Sequence, residues 1–170
     1  MRIFITSAMG NGTTRLAAFD NALFKAGVAN FNLIPLSSVI PPGASIQTGT
    51  TIRCRDESAT GCGADDELGG QWGDRLYVVM AEHRTETMNT EVWAGVGWVQ
   101  DRCTGKGLFV EHVGGTEQEV RSDIQMTLRN LMETRGVDFG NINMEVVGGA
   151  CHDLPVCALS IAVFAAQSWA

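Results

Sequence analysis

Thr116 opens the run TEQEVRSDIQMTLRNLMETRG, which closes at Gly136, and this stretch decides the fold class. Thr116 with Glu119 three residues later forms a capping box, in which each side chain satisfies the other's free backbone N–H. Val120, Ile124, Leu128 and Leu131 then recur at helical spacing and form one apolar stripe. Arg135 suits the negative end of the helix dipole, and Gly136 supplies the left-handed stop. Outward from this helix the pattern changes to short apolar runs. Strands are predicted at Gly107–Val113 before it and at Asn143–Val147 and Val156–Phe164 after it. Further strands are expected at Ile3–Thr6, Phe31–Leu36, Leu76–Ala81 and Val92–Val99. A first helix is predicted from Thr13 or Thr14, with Leu16, Phe19, Leu23 and Ala26 facing inward and Gly27 as its stop. The turn Met9-Gly10-Asn11-Gly12 is expected to lead into it. Two helices, each followed by more than one strand, indicate an α+β layered sandwich.

The chain has 170 residues, 45% of them hydrophobic and 18% charged, which suits one domain with a core of its own. A formal net charge of −7 without a basic run argues against nucleic acid or an anionic membrane as partner. The longest apolar run, Val156–Ala166, is too short to span a bilayer. The opening Met1–Ser7 lacks the long apolar centre of a signal peptide, so the expected location is the cytoplasm. Five cysteines without a CxxC pair indicate neither a disulfide framework nor a zinc site. Residues 53–74, polar and rich in Gly and Asp, read as a surface excursion within the domain.

The segment Leu36-Ser37-Ser38-Val39-Ile40-Pro41-Pro42 carries a specific chemical possibility. Consecutive prolines end sheet pairing and pin the Ser-Ser bond just after a strand. Attack of the Ser38 hydroxyl on the Ser37 carbonyl would give an ester, and β-elimination would then leave dehydroalanine, which hydrolyses to a pyruvoyl group. Read alone, Ser-Ser before prolines is usually an ordinary turn.

Blocks spread along the chain resemble the pyruvoyl-dependent arginine decarboxylases. They are Ala17–Leu23, Ala26–Ile34 and Leu36–Pro42, contiguous and in order, followed by Gly107–His112 and Cys157–Trp169. The resemblance implies cleavage between Ser37 and Ser38 into a β chain 1–37 and an α chain 38–170, with Ser38 becoming the pyruvoyl cofactor. It further implies a four-layer αββα sandwich and homotrimers or paired trimers (hexamers) with the active site between protomers. The implied reaction is conversion of L-arginine to agmatine and CO2, with neither metal nor pyridoxal phosphate.

The resemblance assigns Asp20 to the substrate guanidinium, a small cationic amino acid being the substrate. Asp20 lies about 40° from Leu16 and about 60° from Leu23 on a helical wheel, inside the expected apolar stripe, where a carboxylate needs a cationic partner. An internal ion pair with Arg15 or Arg2 answers the same need. Glu111 is assigned as the proton donor; Phe109, Glu111 and Val113 share one strand face, and apolar neighbours raise a carboxyl pKa. The alternative is a glutamate on a wet edge strand. Asn32 is assigned to processing, where its amide could donate to the scissile carbonyl. In a short strand it is otherwise simply structural.

Rival readings keep the chemistry with another substrate, such as histidine or a guanidino compound, or keep the trimer as an unprocessed, non-catalytic scaffold. Gly10–Thr14 imitates a phosphate loop but lacks the lysine and the full spacing. Cys151-His152-Asp153 reads as a loop with incidental polar residues, and Cys54 and Cys62 flank the polar excursion.

Overall fold

A computed structural model describes residues 1–49 and 68–169 of the chain. The elements run β1 (Arg2–Asn11), α1 (Arg15–Lys25), β2 (Asn32–Pro35), β3 (Val39–Ile40), β4 (Ser45–Thr48) and β5 (Arg75–Thr85). They continue as β6 (Glu91–Gln100), β7 (Gly107–Gly114), α2 (Glu117–Arg135), β8 (Asn143–Ala150) and β9 (Val156–Gln167). Strands β2-β5-β9-β1-β4 make a mixed five-stranded sheet, and β3-β7-β6-β8 make an antiparallel four-stranded one.

Packing sets the layers. Ala18, Ala22 and Leu23 of α1 bury Leu159 and Ile161 on the outer face of the five-stranded sheet. Val120, Ile124 and Leu128 of α2 cover Val99, Leu108 and Val110 of the four-stranded sheet. Ile3, Ile5, Val79, Val96, Phe109 and Phe164 fill the space between the sheets. The order is therefore helix, sheet, sheet, helix, in an α+β chain. One buried hydroxyl ties the sheets together: Ser160 accepts from Val96 N at 3.2 Å and donates to Glu145 O at 3.0 Å. None of the described helices is long and apolar enough to cross a membrane.

α2 has the predicted ends. Thr116 Oγ1 accepts from Glu119 N, Glu119 Oε2 accepts from Gly115 N, and Gly136 adopts φ 62°. α1 begins at the predicted Thr14 cap, but its buried line differs from the expected stripe. Leu23 and Ala26 are buried as expected and Phe19 packs against them, but Leu16 is 68% exposed, and Ala18 and Ala22 face the sheet in its place. Gly10 is the cause. It lies within β1, not in a turn, and a Cβ there would overlap Ala18 O and Ala22 N. The helix sits so close to the strand that only small side chains fit beneath it.

The same packing disposes of the phosphate-loop likeness. Gly12 N is spent on Pro155 O at 3.1 Å, and Asn11 N on Asn21 Oδ1 at 3.2 Å. Cys151 Sγ donates to Leu154 O within the β8–β9 loop, and the described residues hold no group of three metal-ligating side chains. β3 and β4 were not legible as strands in the sequence. Of the polar excursion, residues 53–67 with Cys54 and Cys62 lie outside the described residues.

Candidate active site

The link between β2 and β3 carries the chain from one sheet to the other, and both its ends are tied. Leu36 N donates to Val78 O of the five-stranded sheet at 2.8 Å, while Ser38 O accepts from Phe109 N of the four-stranded sheet, also at 2.8 Å. Only two residues after the first tie, Ser38 meets the second with φ 61°. A left-handed backbone costs a serine about 1–2 kcal/mol relative to the ordinary regions, so the link is strained at this residue.

Opposite this strained residue stands Glu111. The Ser38 hydroxyl lies 3.0 Å from Glu111 Oε1 and 2.9 Å from Oε2, donating to the carboxylate. β7 supplies this geometry through its alternation. Phe109, Glu111 and Val113 face the five-stranded sheet, whereas His112 turns toward α2 and meets Thr127 Oγ1 at 2.8 Å. β3 pairs only with Gly107 and Leu108, so β7 at Glu111 has no neighbour on that side among the described strands, and the carboxylate is exposed. The apolar surroundings expected from the sequence are thus absent in a single chain, because the strand partner that would cover Glu111 stops short.

Asp20 and Asn32 stand apart from this pair. Asp20 lies about 200° around α1 from both Ala18 and Ala22, so it is exposed, not inside the apolar stripe. Its expected partner Arg15 is beside Glu86, at 3.9 Å. Asp20 also belongs to the outer helical layer, and the five-stranded sheet stands between it and the four-stranded sheet that carries Glu111. Asn32 opens β2, four extended residues or about 13 Å from Leu36. Its side-chain amide donates to the Gly73 carbonyl, not to the Ser37 carbonyl. Within one chain the structure brings together Ser37, Ser38 and Glu111, and leaves Asp20 and Asn32 elsewhere.

Sequence reasoning missed the turn that holds Asn32. Asn32 N donates to Asp74 O and Gly73 N to Asn30 O, each at 2.8 Å, so the end of the polar excursion is bound to the start of β2. Gly69, Gly70 and Gly73, all at positive φ, were the available signal.

The layered α+β fold thus holds a strained serine hydroxyl on a carboxylate, in a link between its two sheets. A family model for pyruvoyl-dependent arginine decarboxylase matches residues 2–168. A pyruvoyl-dependent arginine decarboxylase of Pyrococcus abyssi is 52% identical over 163 residues, covering 95% of this chain and 93% of the relative. One from Thermococcus kodakarensis is 28% identical over the same shares, and one from Picrophilus torridus 30% over 142 residues, covering 81% and 70%. The chain belongs to the pyruvoyl-dependent arginine decarboxylase family. It is a decarboxylase, a carbon–carbon lyase, whose cofactor is a pyruvoyl group formed from a serine. Ser38 fits that group: its backbone is already displaced from the ordinary regions, and its side-chain atom meets a carboxylate able to carry a proton.

Proposed function

We propose that the chain cuts itself between Ser37 and Ser38 and converts L-arginine to agmatine and CO2. The observation that carries this reading is the Ser38 hydroxyl held at 2.9–3.0 Å from both oxygens of Glu111 on a strained link. Glu111 takes the hydroxyl proton as Oγ adds to the Ser37 carbonyl, and the C–N bond breaks to leave an ester with a free amine on residue 38. Loss of the α-proton expels Ser37 as a carboxylic acid. The resulting enamine takes up water and releases ammonia, leaving a ketone at residue 38. A 37-residue β chain and a 133-residue α chain result.

The pyruvoyl ketone supplies an electron sink for the charge left when CO2 departs. Glu111, on the neighbouring strand, holds the proton delivered to the substrate α-carbon. Asp20 receives the guanidinium through charge-assisted hydrogen bonds. In one chain Asp20 and Asn32 lie away from Ser38, so we assign them to the site of a neighbouring protomer in a homotrimer. There Asn32 donates to the scissile carbonyl, and the facing protomer excludes water from the exposed Glu111.

Intact-mass spectrometry of denatured protein tests the reading. Two fragments meeting at 37/38, the larger gaining mass on borohydride reduction, are expected. A single 18.2 kDa species would overturn it.

A further inference from the structure

The tail beyond β9 folds back over the turn that precedes β5. The indole N–H of Trp169 donates to Gly73 O at 2.8 Å. The Arg75 guanidinium covers the indole at 4.7 Å from the ring centroid, and its Nη2 donates to Ser168 O at 2.6 Å. Gly73 O is also the acceptor for the Asn32 side-chain amide. One carbonyl therefore takes two N–H donors, one from the first residue of β2 and one from the tail, which occupies both of its lone pairs. The Asn32 amide is thereby held in one sense. Its NH2 group turns toward Gly73, on a side chain that is otherwise exposed.

We infer that Trp169 is a positioning residue for Asn32. This rests on the reading of Asn32 as donor to the scissile carbonyl. The tail acts as a strap. Arg75 orients the indole, the indole N–H fixes the Gly73 carbonyl, and that carbonyl fixes the amide. An oxyanion donor is effective only if it is aimed before the charge develops. Without the indole N–H, Gly73 O has a free lone pair, the turn loses its outer tie, and the Asn32 amide samples several orientations.

The test follows the rate of appearance of the 37/38 fragments by intact mass after cell-free synthesis of the full chain. Wild type is compared with Trp169→Phe, Asn32→Ala and the double variant. Phe keeps a ring over Arg75 and removes only the N–H, so folding is preserved; thermal unfolding of each variant checks this. Trp169→Phe is expected to slow cleavage about tenfold, the worth of one net hydrogen bond, and to add nothing in the Asn32→Ala background. Wild-type speed for Trp169→Phe would overturn the inference. So would equal slowing in both backgrounds, since that is the signature of a merely structural role. If Asn32→Ala itself cleaves at the wild-type rate, the assignment of Asn32 fails first and the strap has nothing to position.

Discussion

Ser38 supplies a hydroxyl that must lose a proton, and Glu111 a carboxylate that takes this proton in cleavage and delivers one in turnover, so substitutions at either residue are read by intact mass as well as by activity. Ser38→Ala removes the nucleophile and should leave one uncleaved chain by mass. Glu111→Gln still accepts a hydrogen bond from Ser38 but neither takes nor delivers a proton, so the 37/38 fragments should appear more slowly by intact mass, and activity is compared per cleaved chain. Turnover should fall roughly 10²–10⁴-fold, the usual worth of a general acid or base, in steady-state assays of agmatine. Asp20→Asn removes only a charge; the expected effect is a KM for arginine raised about tenfold or more with kcat little changed. An unchanged KM would argue for another substrate. Cys157 gives a residue-scale check on the core. Burial, reinforced by Glu82, pushes its thiol from the ordinary value of 9.0 up to about 12. Because the folded value is the higher one, this thiol contributes stability in full below about 9. That contribution is lost as the pH rises toward 12. At pH 8.5, mass-mapped alkylation should mark exposed Cys103 and spare Cys157 until the protein unfolds.

At the scale of elements, glycine decides how closely each helix lies on its sheet. A Cβ on Gly97 would overlap Ile124 Cγ2 of α2, as one on Gly10 would overlap the backbone of α1. Gly97→Ala must lift α2 or shift its isoleucine, at a cost of about 1–3 kcal/mol. Thr116→Ala, which removes only the N-cap, should cost about 1 kcal/mol. Chemical denaturation of both variants should rank them in that order, and the reverse order would contradict the close packing of α2. These elements also show what was readable in advance. The ends of α2 were legible because Thr116, Glu119 and Gly136 act on backbone groups within one turn of themselves. The inward face of α1 was legible at Leu23 and Ala26 but not in its first turns. Leu16 has the right hydrophobicity and spacing, but the close approach at Gly10 selects Ala18 and Ala22, and Asp20 is carried to the exposed side with Leu16. β3 and β4, two and four residues long, form because β7 and β1 present open backbone to them.

At the scale of the whole molecule, the sandwich brings residue 38 to residue 111 by tying a short link to both sheets. The chain alone leaves Glu111 exposed and Asp20 and Asn32 remote. Native mass spectrometry of the processed protein is expected to show three α and three β chains per assembly, or twice that. Dilution to the separated protomer should abolish turnover while the fragments remain cleaved. The sequence by itself determined the α+β class, the ends of α2, the Ser-Ser bond before two prolines and the candidate chemistry. Each of these depends on residue type at short separation. Only the tertiary structure decided that Ser38 meets Glu111, that α1 buries its alanines, and that Asn32 is held by Gly73 with Trp169. Those contacts join residues far apart in the chain. They depend on how closely the backbones approach, which local spacing does not encode.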